Sequence, residues 1–337
     1  NLIQFPNYIN FFNINIPMKK IILKQTPQDF IVEEIINLKT SKEGNYAYIK
    51  LTKENLNTLD AVKILEAQLR IPRRFISFAG LKDKQAVTTQ YISIQNIKEE
   101  QLNKIKHPQI QIQFIGYSNK PISLGTLEGN KFTITLNFKP KTIAEMVNYF
   151  GEQRFSKNNV EIGKSIIKKD FKKAIELIDN YSSTFHLKDK PNDFIGAIKQ
   201  IDKKLISLYI NSYQSYLWNK VASEYIKSKL KKTEYIEQGL LIFTKKKVKN
   251  IEIPLVSFDT EFKNKEIEKL YTNLLEQENI SLRDFLIRQF PDQLPITTLR
   301  NLIVKVKNFS WKNNKLTFTL PKGSYATILI KHIEVAE

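Results

Sequence analysis

Strict alternation of apolar and polar residues does most to limit what this chain can fold into. Ile110, Ile112 and Phe114 alternate, and so do Phe132, Ile134, Leu136 and Phe138. A period of two puts every second side chain on one face, so both runs read as half-buried strands. Other strands precede them: a short one at 21–24, one at 30–36 after Pro27 forces an extended turn, and one at 45–51. The β-branched run 88–94 adds another. The habit returns near the end, where 302–311 and 315–320 form a hairpin around Asn313-Asn314.

Between these stretches the period changes to that of a helix. Residues 161–179, 198 to about 232, 265–278 and 281–290 read as helical, with Ile206, Ile210, Tyr213, Leu217 and Val221 down one side of the longest. An earlier helix, 58–69, has Asn57 as its N-cap, buries Ala61, Val62, Leu65 and Leu69, and is stopped before Pro72. Strand-rich ends around a helical middle describe an α/β (α+β) chain in which one domain is inserted into another. The 337 residues suffice for that. No internal repeat or low-complexity linker interrupts the pattern.

Composition removes several function classes. The absence of cysteine excludes a disulfide framework, a thiolate zinc site and a cysteine nucleophile. His107, His186 and His332 lie far apart without metal-ligand spacing, so no metal or cofactor is expected. No apolar run is long enough to span a bilayer. Residues 1–17 are mildly apolar but lack a basic leader and a small-residue cleavage site, so a soluble, cytoplasmic protein is expected. The net charge of +19 points to a polyanionic partner, most simply nucleic acid, although a lysine-favouring composition would produce it too.

One acid stands out. Asp83 lies between Lys82 and Lys84, after Gly80 permits a sharp turn and just before the 88–94 strand. Two neighbouring lysines favour its carboxylate form, available as a nucleophile and ill suited to act as a general acid. Taken alone, the tripeptide reads equally as a solvated charge cluster. A second dense stretch, 148–155, holds Asn148, Tyr149, Phe150, Gln153, Arg154 and Phe155. Aromatics stack on bases and amides read base edges, so this composition suits a nucleobase pocket; the alternative makes Phe150 and Phe155 core. Phe30, read alone, is core. Arg73-Arg74 and the lysines at 227, 229, 231, 232 and 245–247 suit either phosphate contacts or a solvated face.

Together these strings resemble one family. Ala79-Gly80-Leu81-Lys82-Asp83-Lys84-Gln85-Ala86-Val87-Thr88 is similar to the Gly-x-Lys-Asp-Lys-x-Ala-Val-Thr signature of the pseudouridine synthase D (TruD) family. Pro27 to Glu34 resembles its Pro-x-Asp-Phe-x-Val-x-Glu element, and 124–132 its Leu-Gly-x-Leu-x-Gly-Asn-x-Phe, with glycines and an asparagine suited to turns of positive φ. Residues 148–155 resemble Asn-Tyr-Phe-Gly-x-Gln-Arg-Phe, and a further family string is matched at 211–219. Residues 320–327 resemble Leu-Pro-x-Gly-Ser-Phe-Ala-Thr, with Tyr325 replacing the aromatic Phe and Ser324 expected to cap a helix through Lys331.

The resemblance implies a catalytic domain of 1–165 and 300–337 built on the antiparallel, mixed sheet of pseudouridine synthases. It also implies a largely helical inserted domain, 166–299, forming the other wall of an RNA cleft. The implied activity is isomerisation of a flipped-out uridine to pseudouridine at position 13 of tRNA, with Asp83 as nucleophile and no metal or cofactor. Phe30, Phe150 and Tyr325 would supply apolar faces, Asn148 would hold Asp83 or the uracil edge, and Lys82 or Lys84 would offset burial of the carboxylate. A monomer is the expected state. The rival reading is a non-catalytic, basic RNA-binding module.

Overall fold

The computed structural model describes residues 26–123, 125–155, 158–178 and 180–336. The strand expected at 21–24 lies outside them. The described chain divides into two compact units, one of 26–146 with 304–326 and one of 147–303 with 327–336.

The first unit is built on an eight-stranded sheet. Its strands are β1 (Phe30–Ile35), β2 (Tyr46–Glu54), β3 (Ile76–Phe78), β4 (Val87–Gln95), β5 (Ile110–Ser118), β6 (Gly129–Thr135), β7 (Lys307–Lys312) and β8 (Lys315–Pro321). They run in the order β7-β8-β6-β1-β4-β2-β5, with β3 paired to the far half of β4. β1 and β4 are parallel, through Ile31↔Val87, Val32↔Thr88 and Glu33↔Thr89, and the other pairings are antiparallel. Helix Thr58–Leu69 covers one face. Ala61, Val62 and Leu65 pack there on Ala47, Ile49 and Leu51 of β2 and Ile92 and Ile94 of β4. Asn57 caps that helix through its backbone carbonyl, while its amide side chain donates to Asp60 at 3.1 Å. The β7–β8 turn is Asn313-Asn314 with φ of 50° and 57°, the left-handed pair that a tight hairpin demands.

Gly129 sits in β6 without positive φ. A Cβ there would stand 2.5 Å from the Leu320 carbonyl oxygen of β8, so glycine is set by close backbone approach. In the 124–132 stretch positive φ belongs to Gly125, at 110°. Gly80 has no left-handed geometry and its Cβ position faces open space, so the expected glycine-dependent sharp turn is not what shapes that loop.

The second unit is mainly helical. Its axis is the 27-residue helix Lys203–Lys229, begun by the Asp202 carboxylate accepting from the Lys204 N–H. Helix Asn159–Ile167 packs against it so closely that a Cβ on Gly163 would meet the Tyr209 carbonyl at 2.1 Å. The helix expected over 161–179 is two helices. Lys169 turns left-handed at φ 61° and Asp170 caps Phe171–Leu177. The helix expected at 281–290 is a single 3-10 turn, Leu282–Phe285, locked by Ser281 and Asp284. Phe285, Ile287 and Phe290 are all buried, so their apolar spacing serves packing of an irregular segment. The last helix runs Ala326–Ala336, beginning two residues after Ser324 and ending beyond the expected Lys331.

Candidate active site

Asp83 lies half-buried on the loop 79–86, which links β3 to β4. Buried polar groups from three elements hold that loop. The Thr58 hydroxyl, at the start of the helix, accepts from the Lys82 N–H at 2.9 Å and donates to Gln90 Oε1 at 2.8 Å. Gln90 Nε2 reaches the Gly80 carbonyl at 3.5 Å. The Lys53 ammonium of β2 donates to the Asp83 carbonyl at 2.8 Å and to the Leu56 carbonyl at 2.6 Å. Burial brings the Lys53 pKa down to about 8, against the upward pull of the Asp83 charge and with a smaller downward push from Lys82.

Lys82 and Lys84 behave differently from each other. Lys84 is exposed. Lys82 turns inward and pairs with Glu34 of β1 at 2.7 Å, their side chains 8% and 0% exposed. Glu34 also accepts the Tyr91 N–H at 2.8 Å, so one carboxylate ties the loop to β1 and β4. Burial, reinforced by Glu34 and Glu33, raises the Tyr91 hydroxyl pKa above its usual range. Of the two lysines expected to offset Asp83, Lys82 pairs with Glu34 and Lys84 is exposed, while the ammonium at the Asp83 carbonyl is that of Lys53. Glu34 ends the motif that contains Phe30, so a signal for it was present. Lys53 gave none, because a lysine at a strand end reads as exposed.

Phe30 opens β1, one residue before the Ile31↔Val87 pair that follows the Asp83 loop. It is 3% exposed, and its ring meets Phe132 edge-on at 6.2 Å. Tyr325 is half-buried on the turn after β8, where Gly323 takes φ 77°. That turn follows Pro321, which pairs with Gly129; Gly129 in turn pairs with Ile35, at the other end of β1 from Phe30.

The second unit gathers Asn148 and Phe150 around a residue that the sequence did not single out, Arg300. Its Nε donates to the Asn148 carbonyl and a terminal nitrogen to Asn148 Oδ1, both at 2.8 Å. The same guanidinium lies 4.0 Å from the centre of the Phe150 ring and 5.4 Å from that of Trp218. Asn148 Nδ2 donates to the Asn301 carbonyl at 3.3 Å, which fixes both ends of its amide. Asn219 clamps the Phe150 backbone by accepting from its N–H at 2.9 Å and donating to its carbonyl at 3.0 Å. Trp218 meets the Phe150 ring edge-on at 5.7 Å. Tyr149 is fully buried and hydrogen-bonded to Ser223 and Ile242, a structural role.

Lys227, Lys229 and Lys232 pair with Glu224, Glu266 and Glu237 respectively; Lys245, Lys246 and Lys247 are exposed, and Lys246 reaches Glu234 at 3.6 Å. Arg73 is engaged with Glu66 and the Phe78 ring. Among the described residues, no helix is long and apolar enough to cross a membrane.

A mixed sheet with one anchored acid on the loop between β3 and β4, joined in sequence to a helical unit, is the fold of a pseudouridine synthase. The crystal structure of the putative tRNA pseudouridine synthase D from Methanosarcina mazei superposes with a TM-score of 0.67, covering 96% of this chain and 95% of that one at 24% identity. The family model described as tRNA pseudouridine synthase D matches residues 9–183 and 180–333. Relatives include the tRNA pseudouridine synthase D of Aquifex aeolicus, 30% identical across 92% of this chain and 97% of its own length. The probable tRNA pseudouridine synthase D of Methanococcus vannielii is 31% identical across 92% and 94%. The chain belongs to the tRNA pseudouridine synthase D family.

Proposed function

We propose that this protein isomerises uridine to pseudouridine at position 13 of tRNA, with Asp83 as the nucleophile acting on a uridine flipped out of its stack. The observation that carries the role of Asp83 is its loop. Four buried polar side chains, Lys53, Thr58, Gln90 and Lys82 (the last through Glu34), hold one half-buried acid in place, at a cost that a solvated charge cluster would have no reason to bear. In the reaction the N1–C1′ glycosidic bond breaks, the uracil turns, and C5 is joined to C1′. The proton leaves C5 and one is gained at N1, so the product is an isomer and needs neither oxidant nor reductant. The carboxylate attacks ribose or uracil and is released at the end.

On this reading the sheet unit is catalytic, and 166–299 belongs to an inserted RNA-binding domain. Phe30, Phe150 and Tyr325 supply apolar surfaces to the flipped base. Arg300 already holds the Asn148 carboxamide oxygen, so Asn148 serves best as a fixed edge beside Phe150. Lys84 stays in solvent and contributes to the field around the polyanion.

Purified protein incubated with unmodified tRNA, followed by chemical mapping of pseudouridine, tests this directly. Formation at position 13 is expected, and Asp83→Asn is expected to abolish it while folding and tRNA binding persist. Binding without modification by the wild-type protein would establish the RNA-binding module instead. Modification at another position would keep the reaction and correct the site.

A further inference from the structure

Lys53 occupies a place that patterning reserves for an apolar side chain. Along β2 it continues the row Ala47, Ile49, Leu51, whose members pack under helix Thr58–Leu69, and it is itself 0% exposed. A buried ammonium is costly unless its protons are used, and here two go to the carbonyls of Leu56 and Asp83. These carbonyls are the only acceptors the structure gives it among the described residues, and neither carries a formal charge. Directly across the ladder stands Thr88, whose buried hydroxyl has no hydrogen-bond partner. The cation is thus kept in a corner against the backbone of the one acid on the loop.

We propose that Lys53 is the positioning residue for Asp83: its ammonium fixes the carbonyl of that residue and, through it, the place of the carboxylate on the loop. The proposal rests on Asp83 being the nucleophile. A methionine would fill the same space without charge or donors, and would leave the Leu56 and Asp83 carbonyls unbonded. The charged groups acting on Lys53 are Asp83, which favours its protonated form, and Lys82, which together with burial opposes it. Its direct partner on β4, Thr88, is uncharged.

The first test is Lys53→Met, assayed for kcat and KM on tRNA. Displacing a reacting group by an ångström costs about 100-fold, so a loss of that order in kcat is expected, with KM for tRNA changed by less than about threefold. A folded Lys53→Met enzyme with wild-type kcat would overturn the proposal.

A second measurement does not require that variant to fold. The Lys53 side chain is titrated by NMR in the wild-type protein and in Asp83→Asn. If the two charges are coupled, the Lys53 midpoint falls in Asp83→Asn; equal midpoints refute the coupling. The two levels of interpretation separate cleanly. An active Asp83→Asn enzyme defeats the nucleophile assignment, whereas an inactive one beside a normal Lys53→Met enzyme defeats only the role of Lys53.

Discussion

Arg300 commits its fork to Asn148 and its flat face to Phe150, and a lysine cannot do both. Arg300→Lys should therefore lower kcat/KM by roughly 10–100-fold, the worth of a charge-assisted pair of hydrogen bonds, with little change in tRNA affinity. Kinetics beside a filter-binding titration would check this; equal activity would make the cluster purely structural. Phe30 raises the opposite question, because a residue 3% exposed is core as well as candidate site. Phe30→Ala should cost about 3–5 kcal/mol of stability, as truncation of a buried phenylalanine does, and should also lower turnover. Denaturant unfolding and activity measured on the same preparation separate the two. Turnover that is normal below the unfolding transition would remove Phe30 from the site.

Among the elements, the β6–β8 pair leaves no room for a side chain at Gly129. With 2.5 Å between the place of a Gly129 Cβ and the Leu320 carbonyl, Gly129→Ala must spread two central strands. A loss of about 1–3 kcal/mol is expected from such overpacking, read as a lower denaturation midpoint. The helix Ala326–Ala336 carries a pH dependence of its own. His332 is buried and donates through Nε2 to the Thr244 carbonyl at 3.0 Å, and burial, only partly opposed by that bond, lowers its pKa. Its neutral form is thus favoured in the folded state. The associated stability is complete above the unfolded value of about 6.5 and is lost as pH falls through and below it. Thermal unfolding between about pH 7.5 and 5 should show this decline, and His332→Gln should flatten it. An unchanged slope in the variant would assign the decline to other groups.

At the scale of the whole molecule, an excess of 19 positive charges attracts any polyanion, but much of the lysine is locally paired. Lys227, Lys229 and Lys232 face glutamates closely and Lys246 more loosely, at 3.6 Å, so the exposed Lys245–Lys247 are the better phosphate ligands of that stretch. Reversing these three to Glu should weaken tRNA binding and flatten its dependence on log salt by roughly 0.7–0.9 for each phosphate no longer neutralised. An unaltered slope would return them to a solvated face.

Much of this protein was legible in its sequence because the relevant signals are local. Period-two runs gave the strands, a proline and an asparagine bounded the first helix, and paired asparagines gave the β7–β8 hairpin. Each depends on residues within a few positions of one another. Asp83 stands out in the same way, as the single acid of a short, dense motif. What stayed hidden depends on distant partners. Gly129 looked like a turn glycine, yet it is fixed by a carbonyl 191 residues further along the chain (Leu320). Ser281 began an apolar run of helical length that packing turned into an irregular segment. Lys53 and Arg300 belong to no signal in the sequence; tertiary structure alone buried the first beneath the Asp83 loop and bound the second to Asn148. Local sequence sets backbone preference, but whether a charge is enclosed, and against what, is decided only when remote strands and helices close over it.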